Sequence, residues 1–174
     1  ATTDDPCSSL AAHAALAADP TWSGRVVPTF RPDRYLEVGD PAWPRALDDL
    51  AHSSGIDTGT SAGLVEALAQ RRRYFVAHGA TSADHSHGDV GAAPIPPAEA
   101  ERLHALARSA AATPAETAAL RRHLVFEMAR LSCEDGLVMT LHPGVARGHH
   151  GPTTARFGRD VGCDVPVAVE LTRS

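Results

Sequence analysis

Short apolar runs alternate with longer helical patterns along this chain, and that alternation limits its fold more than any other feature. The runs RVVPTF (25–30), GATSAD (79–84) and LVMTL (137–141) are each too short for a helix and recur roughly 55 residues apart. A polar strand end, TTDDP, precedes them at the start of the sequence. Strands separated by helices pair in parallel as βα units, so we predict an α/β fold with a parallel sheet.

The segments between these runs carry helix signals, namely a capping residue, often followed by proline, and apolar residues three or four apart. Thr113-Pro114-Ala115-Glu116 is a capping box that opens a helix ending before Asp135-Gly136. Other helices are predicted to begin at Asp5-Pro6 (ending near Ala18), at Asp40-Pro41, at Ser61 (closed by Gly79) and near residue 99. Arg71–Arg73 lie on the helix after Ser61, where such a run is typical of a solvated face.

Polar side chains follow each predicted strand at its carboxyl end. They are Asp4-Asp5, Arg31-Pro32-Asp33, Asp84-His85 and His142-Pro143. In a barrel of parallel strands these ends converge around one pocket, which is where active sites are built. Arg31 stands out because its planar guanidinium, fixed by Pro32, suits a carboxylate ligand.

Each of these side chains also has a structural interpretation, and the residues alone leave the choice open. Asp4 and Asp5 are suited to cap the following helix, and Asp33 to close a turn. His142 can equally be a structural histidine whose ring is satisfied within the fold. His149-His150 lie among glycine and proline, so an exposed loop is expected there.

The stretch TSADHSHGDV (81–90) has the composition of a metal site. Residues two apart in a strand point the same way, so His85 and His87 could share one ion. However, the apolar run ends at Ala83 and a glycine follows His87 directly. We therefore expect His87 to lie in a loop and predict no metal at this stretch.

Composition excludes some classes of function. The net charge is −5 and all 16 basic residues are scattered arginines, which argues against broad nucleic-acid binding. No apolar run has the length that a membrane span needs. Cys7, Cys133 and Cys163 form no CxxC motif or disulfide framework, which favours the reducing cytoplasm.

Five ordered blocks resemble the uronate isomerase (glucuronate isomerase) family of the amidohydrolase superfamily. They are TTDDP, PTFRPD (28–33), SADH (82–85), LHPGVAR (141–147) and FGRDVGCDVP (157–166). The resemblance covers nearly the whole chain and implies a (β/α)8 TIM barrel with extra helices. Residues 1–174 would form a single central segment of it, from the end of the third strand to the sixth.

The family interconverts aldose and ketose uronates, such as D-glucuronate with D-fructuronate and D-galacturonate with D-tagaturonate, in hexuronate catabolism. Such a reaction moves a proton between C2 and C1 and needs a carboxylate anchor, a base and an electrophile. The resemblance implies Arg31 as the carboxylate clamp and His142 as a hydroxyl or carbonyl contact. Arg147 would support the same loop, with Asp84 and His85 at the pocket mouth. The catalytic base stays unassigned.

The resemblance also implies a divalent metal, with zinc as the candidate, for the complete family site. The family holds it with a His-x-His pair and an aspartate on strands that the resemblance places outside this chain. No metal is therefore expected on the segment itself, and His85 and His142 are only weak candidate ligands.

Two other interpretations stay open. One is a metal-dependent hydrolase of the same superfamily, in which His85 and His142 would be ligands that help to activate a water molecule. The other is a non-catalytic partial barrel that associates with another chain through its open sheet edges. A homo-oligomer is compatible with each interpretation.

We predict that the purified 174-residue chain does not isomerise D-glucuronate, because the metal-binding strands implied by the family are expected outside it. Formation of D-fructuronate would be followed with and without added Zn²⁺, beside a complete member of the family as positive control. Turnover by the chain alone would contradict the prediction.

Overall fold

The computed structural model describes residues 1–86, 89, 91–158 and 161–168. Within them the strands are β1 (Thr2–Asp4), β2 (Pro28–Phe30), β3 (Ser82–His85), β4 (Val138–Leu141), β5 (Val145–Ala146) and β6 (Val165–Pro166). The helices are α1 (Ala11–Ala18), α2 (Asp33–Leu36), α3 (Trp43–Ser54), α4 (Ser61–Ala77), α5 (Pro97–Arg108), α6 (Pro114–Asp135) and α7 (Gly151–Phe157). No helix in this part of the chain combines the length and the apolar composition of a membrane span.

The first four strands form one parallel sheet in chain order, β1-β2-β3-β4. One or more helices lie between each pair of successive strands, which is the arrangement of consecutive units of a (β/α)8 barrel. The predicted parallel α/β sheet is therefore confirmed. The short strands β5 and β6 form a separate antiparallel pair that the sequence pattern did not predict.

The strand register divides the sheet into an apolar face and a polar face. Phe30 lies opposite Ala83, and both are completely buried in the hydrophobic core. The ring of Phe30 packs edge to face against Phe75 of α4, with centroids 5.1 Å apart. Because side chains alternate along a strand, Asp84 and its cross-strand partner Thr140 point to the opposite face.

The helix ends follow the predicted capping chemistry with three differences. Helix α3 begins at Trp43 rather than at Asp40-Pro41, and the Asp40 carboxylate accepts the N–H of Ala42 in the preceding turn. The Thr113 capping box is confirmed, and Gly136 caps the C-terminus of α6 with a positive φ of 76°. Helix α4 is capped by the Thr60 hydroxyl, one residue before the predicted Ser61. Helix α1 begins at Ala11 rather than at Asp5, because the Asp5 carboxylate accepts the N–H of Cys7 and closes a turn instead.

The predicted solvated face at Arg71–Arg73 is wrong for two of the three residues. Arg71 is 6% exposed and donates to the carbonyl oxygens of Pro6 and Ser8. Arg72 is fully buried and pairs with Asp135. Successive helical residues point about 100° apart, so three in a row cannot share one face. Arg73 alone of the three lies on the exposed side.

His104 is a buried histidine of α5 that joins this helix to the loop before α4. Its Nε2 lies 3.0 Å from the Thr58 carbonyl oxygen, and its ring packs edge-on against Trp43. Burial lowers the pKa of His104, although the bond to Thr58 and the charge of Glu101 oppose that shift. The folded protein therefore favours the neutral ring.

We predict that the free energy of unfolding falls as the pH drops below about 6.5, the ordinary pKa of histidine, because the unfolded chain then binds a proton that folded His104 resists. His104→Gln keeps a donor for Thr58 but does not titrate, so its stability should fall less steeply between about pH 6.5 and 5. Denaturant unfolding over this range measures the slopes, with His150→Gln as the exposed control. Equal slopes for the wild type and His104→Gln would refute the prediction.

Candidate functional site

Three of the predicted site residues meet at the carboxyl ends of β2, β3 and β4. Nδ1 of His142 lies 2.8 Å from the Asp84 carboxylate. Nε2 of the same ring lies 3.4 Å from Nη2 of Arg31. The imidazole of His142 thus joins two residues that are distant in the sequence, Arg31 at a separation of 111 positions and Asp84 at a separation of 58.

The backbone ladder continues past the strand ends and holds these side chains in place. The N–H of Arg31 donates to the Asp4 carbonyl oxygen, and the N–H of His142 donates to that of His85. The positions of Arg31 and His142 are therefore set by the sheet, which is more rigid than a free loop.

Asp84 is the anion of the cluster. Partial burial favours its protonated form, but hydrogen bonds from Thr140 and His142 and the charge of Arg31 outweigh burial, so the pKa of Asp84 lies below its ordinary value. An ionised Asp84 only accepts hydrogen bonds, so Nδ1 of His142 must be the donor. In the neutral ring Nε2 is then an acceptor, directed toward the guanidinium of Arg31.

Asp33 connects the carboxyl ends of β2 and β3. The sequence alone also allowed it to close a turn. One carboxylate oxygen accepts Nε–H of Arg31 at 2.8 Å, and the other accepts the N–H of Ser86 at 2.9 Å. The Ser86 hydroxyl in turn accepts from Arg147 at 3.0 Å. Arg147 also approaches Asp164 at 3.6 Å. We call Arg31, Asp33, Asp84, Ser86, His142 and Arg147 the strand-end cluster.

His85 does not join the strand-end cluster. It is completely buried, and its Nδ1 lies 3.2 Å from the Thr140 carbonyl oxygen. Neighbouring residues of a strand point to opposite faces, so Asp84 and His85 cannot both face one pocket. His87 lies outside the described residues. His150 is exposed and contacts the Thr153 hydroxyl.

A cavity of about 430 Å³ lies beside Arg31 at the strand ends. Its lining comprises Thr3, Asp5, Arg31, Asp33, Arg34, Glu37 and Arg147. A slightly larger groove, about 470 Å³, lies between the outer sides of α4 and α6. Active sites of βα barrels lie at the carboxyl ends of the strands, so we take the cavity beside Arg31 as the candidate site.

Three lining residues were missed at the sequence level: Thr3, Arg34 and Glu37. Asp5 was among the predicted polar strand ends, where a helix-capping role was also open. Arg34 pairs with Asp5 at 2.9 Å across the start of α2. The available signal was spacing, since Arg34 follows Arg31 by three residues and can lie on the same side of a helical turn.

The described residues contain no group of three or more His, Cys, Asp or Glu side chains arranged to hold a metal ion. His85 and His142 are therefore not part of such a three-ligand group among the described side chains. The hydrolase alternative gains no supporting observation from the described residues.

Comparison with known proteins gives consistent matches over the whole chain. A family model described as glucuronate isomerase matches residues 1–173. A uronate isomerase of Cutibacterium acnes is 48% identical over 174 residues, and one of Corynebacterium efficiens is 43% identical over 173. The alignments cover 100% and 99% of this chain but 37% of each relative. The chain thus spans little more than a third of the length of these relatives.

Two crystal structures resemble the fold closely. Glucuronate isomerase from Caulobacter crescentus superposes with a TM-score of 0.91 at 36% identity, covering 98% of this chain and 35% of that protein. Uronate isomerase from Thermotoga maritima gives a TM-score of 0.88 at 27% identity, covering 95% and 37%. The partial-barrel fold expected from the sequence is confirmed by these similarities.

We predict that neutral His142 carries its hydrogen on Nδ1, because the Asp84 carboxylate accepts it there. Nitrogen-15 NMR of the imidazole, at a pH where the ring is neutral, distinguishes the two tautomers. Asp84→Ala should return the ring to a mixture of tautomers. Thr140→Val, which leaves the bond between Asp84 and His142 in place, should not. A wild-type ring protonated on Nε2 would contradict this assignment.

Proposed function

We propose, from the premise that this chain belongs to the glucuronate isomerase family, that its strand-end cluster binds the carboxylate end of a hexuronate during aldose–ketose isomerisation. The observation that carries the proposal is the position of Arg31 at the end of a buried strand, beside a 430 Å³ cavity and in contact with His142. The proposed substrate pairs are D-glucuronate with D-fructuronate and D-galacturonate with D-tagaturonate.

Arg31 is proposed as the carboxylate anchor. Its guanidinium is planar, so two N–H groups can bind the two oxygens of one carboxylate. The Asp33 carboxylate holds Nε and thereby fixes the plane of the group. Arg147 and Arg34 line the same cavity, but Asp5, Asp33 and Glu37 balance the charges of its arginines. The proposed preference for an anionic sugar therefore rests on the directed contact with Arg31.

His142 is proposed as the contact to a sugar hydroxyl. Its Nδ1 donates to Asp84, which leaves Nε2 as an acceptor for a hydroxyl hydrogen. The contact from Nε2 to Arg31 is long for a hydrogen bond at 3.4 Å, so a ligand hydroxyl can replace it at little cost. Arg147, which lines the cavity, is held by its hydrogen bond to the Ser86 hydroxyl.

The remaining features of the whole enzyme are proposals of the same kind. We propose that the complete site uses a divalent metal, with zinc as the candidate, and that the protein forms a homo-oligomer. We also propose that it works in the cytoplasm, which the free thiols of Cys7, Cys133 and Cys163 support.

We predict that the chain binds D-glucuronate more tightly than neutral D-glucose and that Arg31→Gln weakens D-glucuronate binding roughly 10- to 100-fold, the worth of a charge-assisted hydrogen bond. Binding of D-glucose should change little in the variant. Calorimetric or NMR titration measures both sugars. Arg73→Gln, on the exposed side of α4, removes the same charge away from the cavity and is the matched control.

Two outcomes would count against the proposed function. The first is equal affinity of the wild-type chain for D-glucuronate and D-glucose, because the carboxylate would then contribute nothing to binding. The second is an equal loss of D-glucuronate binding in Arg31→Gln and Arg73→Gln, because net charge rather than the position of Arg31 would then explain it.

A further inference from the structure

Arg72 of α4 is a completely buried arginine beneath the sheet. Its Nε and Nη2 donate to the two carboxylate oxygens of Asp135, at 2.5 and 2.9 Å. Nη2 also donates to the Ser132 hydroxyl at 2.8 Å. Burial disfavours the ionised form of Asp135, but the hydrogen bonds from Arg72 and Leu137 outweigh it and lower the pKa of that carboxyl. The pair is therefore ionic and joins α4 to α6 through Nε and Nη2, whereas Nη1 is buried without a hydrogen-bond partner among the described residues.

The guanidinium of Arg72 also contacts the second strand. Its central carbon lies 5.4 Å from the centroid of the Phe30 ring, within the range of a cation–π interaction. Phe30 directly precedes Arg31, and consecutive side chains of a strand point to opposite faces. A fixed Phe30 ring on the core face therefore fixes the direction in which Arg31 leaves the strand on the other face.

The carboxylate of Asp135 connects the same guanidinium to the fourth strand. Its Oδ1 accepts the N–H of Leu137 at 3.0 Å, immediately before β4 begins. The chain then runs through β4 to His142. Strands β2 and β4 are not neighbours, because β3 lies between them. Arg72 thus joins, below the sheet, the two strands whose ends bring Arg31 and His142 together above it.

Stability alone is a weak reason for this arrangement. Taking two charges out of water is costly, and apolar residues of similar volume often replace a buried ion pair without loss of stability. An apolar pair in place of Arg72 and Asp135 would lose the directed hydrogen bonds to α6 and the cation–π contact with Phe30. We propose that Arg72 is a positioning residue, which sets the relative placement of β2 and β4 so that Arg31 meets His142 at the carboxylate site. This inference rests on the proposed function.

The test removes both charges together, so that neither is left buried alone. In Arg72→Met/Asp135→Leu the chain should stay folded but bind D-glucuronate roughly tenfold more weakly, since the Arg31 contact is misplaced. The matched control is Arg73→Met/Glu66→Leu, which removes an exposed pair from the same helix and should leave the affinity unchanged.

A spectroscopic signal separates positioning from a general loss of structure. The Nε–H resonance of Arg31, assigned by its disappearance in Arg31→Gln, reports the hydrogen bond to Asp33. It should shift in Arg72→Met/Asp135→Leu, whereas the Nε–H resonance of Arg102, paired with Glu99 on the surface, should not. Phe30→Leu keeps the ion pair but removes the ring contacts to both Arg72 and Phe75. Compared with Phe75→Leu, which keeps the Phe30 ring beside Arg72, it decides the question if the double variant does not fold.

The outcomes distinguish this inference from the proposed function. A folded double variant, or failing that Phe30→Leu, with unchanged affinity and an unchanged Arg31 resonance would overturn the positioning role and leave the proposed function standing. Absence of D-glucuronate binding by the wild-type chain would overturn the proposed function, and this inference with it.

Discussion

Asp84 lies opposite Thr140 in the parallel register of β3 and β4, and the geometry of the strand-end cluster depends on that pairing. A slip of one residue would turn Asp84 toward the helices and bring His85 to the polar face, because side chains alternate along a strand. The register is held from the core side, where Ala83 is completely buried and Met139 packs against the core. The site therefore takes its geometry from apolar packing on the far side of the sheet.

Two arginines on opposite faces of the sheet, Arg31 and Arg72, lie in different environments and have different structural roles. Arg31 lies at a half-buried strand end, where water screens its charge and a ligand can reach it. Arg72 is fully buried, and its charge is balanced by Asp135. Phe30 precedes Arg31 directly, contacts the guanidinium of Arg72 and belongs to the core. The packing of one arginine can thus influence the direction of the other without a shared hydrogen bond.

The sequence predicted the parts of this arrangement that depend on local patterns. Strand-end placement of Arg31, Asp84 and His142 follows from apolar runs that stop at polar residues, and the Thr113 capping box follows from four consecutive residues. Burial of Arg72 could not be predicted, because it depends on Asp135, 63 positions away. The bridge from Asp33 to Ser86 is likewise a long-range contact. The prediction that His85 lies beside Asp84 at the pocket mouth could have been avoided, since side-chain alternation along a strand places the two residues on opposite faces.

The charge state of Asp84 bears on the chemistry that the strand-end cluster can supply. One of its oxygens, Oδ1, already accepts hydrogen bonds from Thr140 and His142. These bonds help to lower its pKa, which makes it a weaker base than an ordinary aspartate. A weak base is poorly suited to remove the C2 proton of a sugar but well suited to orient an imidazole. Under the proposed function, the cluster holds a carboxylate and a hydroxyl, and the proton transfer at carbon falls to a group other than Asp84.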